Sequence, residues 1–561
     1  MSRRDHLLLP LFRSFALSKR DERRYLPYLV VVCLLLLFYV HSHQTESTLY
    51  PFSLSRLSSA FSATIRSSAS FDNSLLDAHS SVTPDRIAFL LRPRLERLSG
   101  LPILGYEESL DLESARCPTS YRQSNRDQLS GEGENYWPRV SVEELKWARE
   151  RVIEKVKARF GLDEGGKQLD ADKLEEMLGT TRERGLVFTA GNKDTMSRLL
   201  TSLRILRKRH GCKLPVEIFG FPSELGNLGD TKSRIDELGG IEWREIEGKK
   251  VDGAWKQFHI KGEAIARSSF SEILYLDSDN VALRDPTFLF SSPVYKQYGV
   301  VLWPDFNRDS AANPFWRLLS VPCDPIHWQA ETGQLLVNKR ARGGMNLVAL
   351  EVARAMQDDS AFWFHLSGGD KDTFRYAFYF LSLPFSLAPH YPSALGGSIS
   401  PPYKGHTFCG HSMLQHGLSP EEWNALGSEG KLDEGYEPDR ERAPPLFVHA
   451  NVLKHSGYTN HRGNTFRSLK RPIDDRLFSL PLSPSSGPPL STIRQTGLPH
   501  RGICVDIWDA SGGAGEDAEG ADAGTYEEGA VEILDWTDAW GGLGSGFEDM
   551  YYDEGGVGGA W

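Results

Sequence analysis

Residues 272–286 read EILYLDSDNVALRDP, and the fold of the chain turns on how that stretch is read. Ile273, Leu274, Tyr275 and Leu276 form a short apolar run of the kind that makes a buried strand, and the run stops at Asp277-Ser278-Asp279. Two carboxylates two residues apart project from one face of an ideal strand. In an open α/β sheet the carboxyl edge of the strands is where ligands bind. Anions held this close repel each other, and a hard divalent cation relieves the repulsion; Mg²⁺ and Mn²⁺ favour oxygen donors and commonly bridge to phosphates. The stretch therefore predicts that Asp277 and Asp279 hold a metal against a diphosphate. A plain surface turn is the competing reading, because Asp, Ser and Asn all favour turns. The other D-x-D strings, Asp170-Ala171-Asp172 and Asp370-Lys371-Asp372, do not directly follow an apolar strand.

Upstream, an α/β pattern begins at Gly185. Leu186-Val187-Phe188-Thr189-Ala190 reads as a strand running into Gly191-Asn192, and a helix over 193–209 carries Met196, Leu199, Leu200, Leu203 and Leu206 on one side. A second strand follows at 214–219. Strand, helix and strand at this spacing imply a parallel sheet with a right-handed crossover. The turn formed by Thr189, Ala190, Gly191 and Asn192 then falls at the same sheet edge as Asp277, a natural seat for a nucleotide, with an ordinary strand-to-helix turn as the alternative. A helix near 233–238, a strand near Trp243 and a helix over 255–268 lead back to the opening stretch.

Downstream, polar clusters interrupt apolar surroundings. Trp303-Pro304-Asp305 follows a strand at 299–302, and Glu331-Thr332-Gly333-Gln334 precedes a strand at 335–337. Gly368-Gly369-Asp370-Lys371-Asp372-Thr373 opens a helix rich in Phe and Tyr, where Asp370 or Asp372 also suits a helix start. Residues 445–451 read as a strand ending in His449. A lone His is usually structural, but its place at a strand end makes it a candidate third metal ligand.

The whole chain sets the frame. Its 561 residues exceed one ordinary domain, and 25% charged with 40% hydrophobic residues describes a globular protein with an ample core. The net charge of -11 comes with a basic N-terminus and no Lys or Arg after Arg501, so no basic stripe points to nucleic acid. Six widely spaced cysteines without a CxxC argue against zinc and leave room for one or two disulfides among the last five. Residues 1–24 are basic and 25–40 read YLPYLVVVCLLLLFYV, a little short of the roughly 20 residues that cross an average bilayer. The charge bias predicts a single transmembrane anchor with the N-terminus cytosolic and the rest lumenal; a cleaved signal peptide is the rival. Residues 41–138 are expected to be a stalk and a poorly defined region, and Ser141-Val142-Glu143-Glu144 is a capping box before Leu145, Ala148, Val152 and Val156 at helical spacing. A catalytic domain is expected over 139–472, followed by a Pro/Ser-rich, then Gly-rich and acidic, disordered tail over 473–561.

Together these residues resemble a known family. From 185 to 454 the chain is similar to the fungal Golgi α-mannosyltransferases that build mannan branches. The resemblance rests on 186–192, 214–219, Lys261 with Ala264, 272–286, Trp303-Pro304-Asp305 and 331–334. It continues through 369–374, Phe408-Cys409-Gly410 with Gln415, and 447–454. It implies a GT-A-like nucleotide-sugar transferase domain, α/β with a central, mostly parallel sheet. It further implies GDP-mannose as donor, Mn²⁺ (or Mg²⁺) as metal, a mannosylated glycan as acceptor and an α-1,2 linkage. The expected address is the Golgi membrane, with partner glycosyltransferases among the candidate associates.

With that support, a cation on Asp277, Asp279 and His449 grips the donor diphosphate and neutralises charge on the departing nucleotide. Lys261 and Lys454 are candidates to add charge to the same phosphates, and Asp305, Glu331, Asp370 and Asp372 to orient the sugars. Two other readings stay open. Residues 274–283 also fit the D-x-D signature of aspartyl-phosphate phosphatases, with Asp370 and Asp372 as the late acidic motif. A non-catalytic lumenal glycan-binding protein retaining the fold is the other.

Overall fold

The structure is a computed structural model that describes residues 76, 81–113, 130–163, 169–179, 182–226, 228–246, 259–323, 328–388, 390–403, 406–418, 444–456, 461–472, 492–498, 502–508 and 531–558. The apolar runs form the strands their composition predicts. β1 (Arg182–Thr189), β2 (Val216–Gly220), β3 (Ile241–Glu245) and β4 (Phe270–Leu276) lie in the order β3-β2-β1-β4, and each neighbouring pair is parallel. Helices Lys193–Arg204, Gly229–Asp236 and Ile260–Arg267 connect them. The first opens on Asn192, whose side chain accepts from Thr195 N at 2.9 Å. It stops at Arg204 and passes into a π-turn at Ile205–Arg209, where the periodicity alone predicts one straight helix.

After β4 the chain makes the short β5 (Asn280–Ala282), which leaves this sheet. β6 (Val300–Arg308), β7 (Trp328–Asn338) and β8 (Ser386–Leu387) complete it in the order β3-β2-β1-β4-β7-β6-β8. β7 is antiparallel to both β4 and β6, and β8 is parallel to β6, so the sheet is mixed and mostly parallel. Both β6 and β7 are longer than the sequence reading allows. β6 runs on through Trp303, Pro304 and Asp305, and β7 already contains Glu331 to Gln334, because these polar residues are paired across the ladder rather than exposed in turns.

A second, eight-stranded sheet is built from β5 with β9 (Ser393–Tyr403), β10 (His406–His416), β11 (Pro445–His449), β12 (Ser468–Pro472), β13 (Thr492–Leu498), β14 (Gly502–Trp508) and β15 (Val531–Asp535). Its path is β13-β14-β10-β9-β12-β15, and β11 joins β10 to β5. Two expectations are corrected here. The domain does not end at 472, and the described parts of 473–561 are not a disordered tail: β13 and β14 form a hairpin on β10, and β15 pairs with β12. The period-two pattern of Ile503, Val505 and Ile507 is the signal that the Gly-rich, acidic surroundings hide. Cys409 and Cys504 are joined in a disulfide that links β10 to β14 across 95 residues. Cys323 is also disulfide-bonded, and Cys212 is free and buried.

A third correction concerns 41–138. Helix Pro84–Gly100 buries Leu91 and Leu95 completely in the main core, so the poorly defined part of this region, beyond the expected stalk, contributes to the folded body. Next to it, helix Val142–Phe160 buries Leu145, Ala148, Val152 and Val156 as their spacing predicts. Each such side chain contributes on the order of 1–3 kcal/mol of burial. The capping box forms, with Ser141 N donating to Glu144 Oε2 at 2.8 Å and Glu144 N to Ser141 Oγ at 3.1 Å. The basic leader and the apolar run at 25–40 lie outside the described residues. Among the described residues no helix is long and apolar enough to cross a membrane.

Candidate metal centre

The turn after β4 passes from one sheet to the other. Asp277 N donates to Gly333 O on β7 at 2.8 Å, and Asn280 N closes the turn on Asp277 O at 3.0 Å. On the far side Ala450 N donates to Asp279 O at 2.9 Å, while the β5–β11 ladder sets His449 opposite Asn280. Asn280 is fully buried and ties the corner together, its amide donating to Gly333 O (2.7 Å) and Gln334 Oε1 (2.6 Å). Three motifs distant in sequence thus meet because their strands are neighbours.

Asp277, Asp279 and His449 each present one donor atom within 4.8 Å of the others. His449 Nε2 lies 3.3 Å from Asp279 Oδ1 and 3.7 Å from Asp277 Oδ2. Its other ring nitrogen, Nδ1, is 2.6 Å from Glu331 Oε1, an ion-pair contact off the line of a straight hydrogen bond. Glu331 also accepts from Gly333 N and from Gln334 Nε2 (2.5 Å). Gly333 fits this corner because it has no side chain: a Cβ there would collide with His449 Nδ1 and Glu331 Oε1. Two carboxylates and an imidazole whose far nitrogen faces a third carboxylate fit a divalent cation, with Glu331 fixing the ring.

Cations surround the acids. Lys261 Nζ contacts Asp277 Oδ2 (3.1 Å), Asp370 Oδ2 (3.0 Å) and Thr332 O (2.9 Å). Lys454 Nζ and Arg198 Nη1 reach Asp279 Oδ2 at 3.1 and 3.3 Å. Tyr275 OH donates to Asp277 Oδ1 at 2.7 Å and meets Thr189 Oγ1 at 2.8 Å, which connects the β1 turn to the acids. Burial alone would raise Asp279, but His449, Lys454 and Arg198 outweigh it and hold its carboxyl well below the usual range. Burial works against a charge on His449, yet Glu331 and Asp279 push the ring up to about 10. Burial likewise opposes a charged Lys261, and Asp277 and Asp370 keep it above its ordinary value. Asp370 is pushed up by burial, with Lys261 pulling the other way.

The structure brings together Thr189, Lys261, Asp277, Asp279, Glu331, Asp370, His449 and Lys454. Of the rest of the β1 turn, Asn192 caps the helix, Gly191 N donates to Thr195 Oγ1 at 3.2 Å, and Ala190 N is taken by Phe219 O at 3.0 Å. Asp305 is paired with Lys371 at 2.7 Å, and Lys371 also reaches Gln329 at 2.6 Å. Asp372 is fully buried between Arg375 (2.9 Å), Lys371 and Ala330 N (2.8 Å), beside an Arg375–Asp309 pair at 2.6 Å, and its partners come from the protein rather than from the cleft. Its role is to hold β7 in place next to Glu331. Asp370 does not cap its helix with its side chain either, since it faces Lys261.

Sequence reasoning missed Arg198 and the cleft wall. Arg198 looks like half of an ordinary i,i+4 pair with Asp194, and nothing in the pattern reveals that its third nitrogen faces Asp279. The cleft beside Asp279 is lined by Arg198, Ser278, Lys454 and Leu453 together with Tyr551 and Val557, which come from the far C-terminus.

Residues 183–320 and 324–417 match the family model described as "Mannosyltransferase putative". Alpha-1,2-mannosyltransferase MNN24 of Candida albicans is 27% identical over 275 residues, covering 40% of this chain and 37% of its own length. MNN21 of the same species is 32% identical over 149 residues, 25% of this chain and 22% of its own. MNN5 of Saccharomyces cerevisiae is 22% identical over 362 residues, 50% of this chain and 60% of its own. The chain thus spans less than two thirds of the length of each of these relatives. A solved galactosyltransferase, LgtC, covers 36% of this chain at 14% identity with a TM-score of 0.25, too distant to bear on the assignment. Over residues 183–320 and 324–417 the chain is similar to the family described as putative mannosyltransferases, and it resembles the fungal α-1,2-mannosyltransferases.

Proposed function

We propose that the protein is a metal-dependent mannosyltransferase that moves mannose from GDP-mannose to a mannose-bearing glycan, in an α-1,2 linkage. The observation that carries this reading is the Asp277–Asp279–His449 cluster in a corner ringed by Lys261, Lys454 and Arg198. Mn²⁺ or Mg²⁺ bound there supplies Lewis-acid charge to the departing diphosphate. Glu331 orients His449 so that Nε2 faces the acids. Lys261, locked between Asp277, Asp370 and Thr332, offsets the acids' repulsion and is too tightly held to follow the phosphates. Lys454 and Arg198, both paired with Asp279 Oδ2 at the cleft wall, are the cations placed to meet them. Charge stabilisation of this kind is worth several kcal/mol in a site shielded from water. Asp305 and Asp370 are left to orient sugar hydroxyls, and an α-linked donor giving an α-linked product retains configuration.

The Cys409–Cys504 disulfide supports a lumenal address behind a type II anchor at 25–40, because disulfides persist in oxidising compartments. Of the two acids in the late motif of the phosphatase reading, Asp372 is committed to Arg375, which weighs against that reading. The test is Mn²⁺-dependent GDP release from GDP-mannose with mannoside acceptors. Asp279→Ala is expected to abolish release with the melting temperature retained; turnover that survives in this variant refutes the site.

A further inference from the structure

Gln357 lies in the last turn of helix Met345–Asp358 and is almost completely buried. An amide is costly to bury unless both its oxygen and its nitrogen find partners. Here the partners come from the first turns of two other helices. Gln357 Oε1 accepts from Gly262 N at 2.9 Å, at the start of helix Ile260–Arg267. Gln357 Nε2 donates to Thr373 Oγ1 at 2.8 Å, at the start of helix Lys371–Phe380, and Thr373 Oγ1 in turn donates to Asp370 O.

The first N–H groups of a helix have no partner within it and call for a cap. His259 and Asp370 stand at the two capping positions, and neither turns its side chain back to supply one. Gln357 supplies the acceptor for Gly262 N from a third helix, and glycine suits this approach because a Cβ at Gly262 would collide with Gln357 Oε1. At the other helix the Thr373 hydroxyl, held by Gln357, engages the carbonyl of Asp370 and leaves its carboxylate facing Lys261 Nζ at 3.0 Å. Lys261 directly precedes Gly262. One buried amide therefore ties together the backbone that carries both members of the Lys261–Asp370 pair, and its own hydrogen bonds end on a backbone N–H and a hydroxyl rather than on the acids of the metal corner.

Resting on the mannosyltransferase reading, we infer that Gln357 is a positioning residue for sugar transfer: by fastening the two helix starts to each other it fixes Lys261 against Asp370 and so aims the Asp370 carboxylate at the sugar. Without the amide the two starts drift relative to each other. A displacement of about 1 Å is enough to cost about 100-fold in rate, even when its source is far from the chemistry. Lys454 and Arg198 sit on other elements and keep their places at the cleft wall.

The experiment measures kcat and KM for Mn²⁺-dependent GDP release from GDP-mannose by the full chain, with amide hydrogen exchange and melting temperature read on the same samples. Gln357→Met keeps the volume and removes both hydrogen bonds. Its kcat is expected to fall about 10-fold or more while KM for GDP-mannose changes by less than about 3-fold. Exchange is expected to quicken in the first turns of both helices, Gly262 included. Thr373→Val breaks only the second half of the bridge and lowers kcat by less. In the double variant the two losses do not add, as befits neighbours in one chain of bonds. Gln357→Glu keeps an acceptor for Gly262 N where two helix starts favour a negative charge, and it recovers part of the kcat lost in Gln357→Met. A lower melting temperature with kcat unchanged in Gln357→Met shows a structural tie alone and overturns the inference. Should Gln357→Met fail to fold, Thr373→Val decides, and an unchanged kcat there overturns it equally. An unaltered protein that releases no GDP overturns the mannosyltransferase reading and the inference with it, whereas full turnover in both variants overturns the inference only.

Discussion

Gly333 lies where four constraints meet: its carbonyl accepts from Asp277 N and the Asn280 amide, its N–H donates to Glu331, and the space a side chain would need is filled by His449. Gly333→Ala must therefore push the imidazole or the Glu331 carboxylate aside. The expected outcome is a loss of about 10-fold or more in Mn²⁺ affinity, the range seen when a ligand's orienting partner is disturbed. Circular dichroism checks that the fold persists, and titration of Mn²⁺ checks the affinity. A second histidine sets an acid limit. Burial pushes His411 down to about 4 from an ordinary 6.5, although Nε2 lies 2.7 Å from Thr465 O, which works in the opposite direction. Between those values the unfolded chain binds a proton that the folded one refuses, so stability rises with pH there. It is complete above about pH 6.5 and falls as the pH drops towards 4, by about 3 kcal/mol for this ring. Urea titrations of His411→Gln and the unaltered protein at pH 7 and pH 5 test this; the gap between them should narrow at the lower pH.

Among the elements, β1 and β4 were legible because Leu186 to Phe188 and Ile273 to Leu276 are buried on both faces and read as continuous apolar runs, and β2 was legible from Val216, Ile218 and Phe219 around the buried Glu217. The Asp277–Asp279 corner was legible for the same reason, since an apolar run that stops at acids marks a strand end. β6 and β7 were only half legible. Their inner ends carry Asp305, Glu331 and Gln334, polar residues whose partners Lys371, His449 and Asn280 lie far away in sequence. The second sheet left almost no signal. β9 (SALGGSISPPY) and β10 (HTFCGHSMLQH) are rich in Gly, Ser and His, and they hold together through pairing and the bridge to Cys504. Removing that bridge with Cys504→Ser is expected to cost about 2–4 kcal/mol. Hydrogen exchange should then accelerate first in the β13–β14 hairpin, and denaturant titration gives the magnitude.

At the scale of the molecule, the C-terminus is part of the cleft although it lies beyond the region that matches the family. Helix Phe547–Asp553 docks through Glu548, whose carboxylate accepts from Gly463 N (2.9 Å), Thr465 N (2.6 Å) and Phe466 N (3.1 Å). Glu554 pairs with Arg209 at 2.7 Å, and its carbonyl accepts from Arg204 at 3.3 Å. Glu548→Ala leaves three N–H groups without that acceptor, at an expected cost of about 1–3 kcal/mol in urea unfolding. GDP affinity in Mn²⁺ is expected to fall with it, because Tyr551 and Val557 lose their seat; unchanged affinity would separate this helix from donor binding.

The corner at 277–279 has one more consequence. Asp277 hangs from β7 and Asp279 from β11, so the span between the two acids works as a caliper whose jaws are mounted on different sheets. Ions of unequal radius need unequal spans. A cation held there would meet a span set by how the two sheets are spaced, not by its ligands alone.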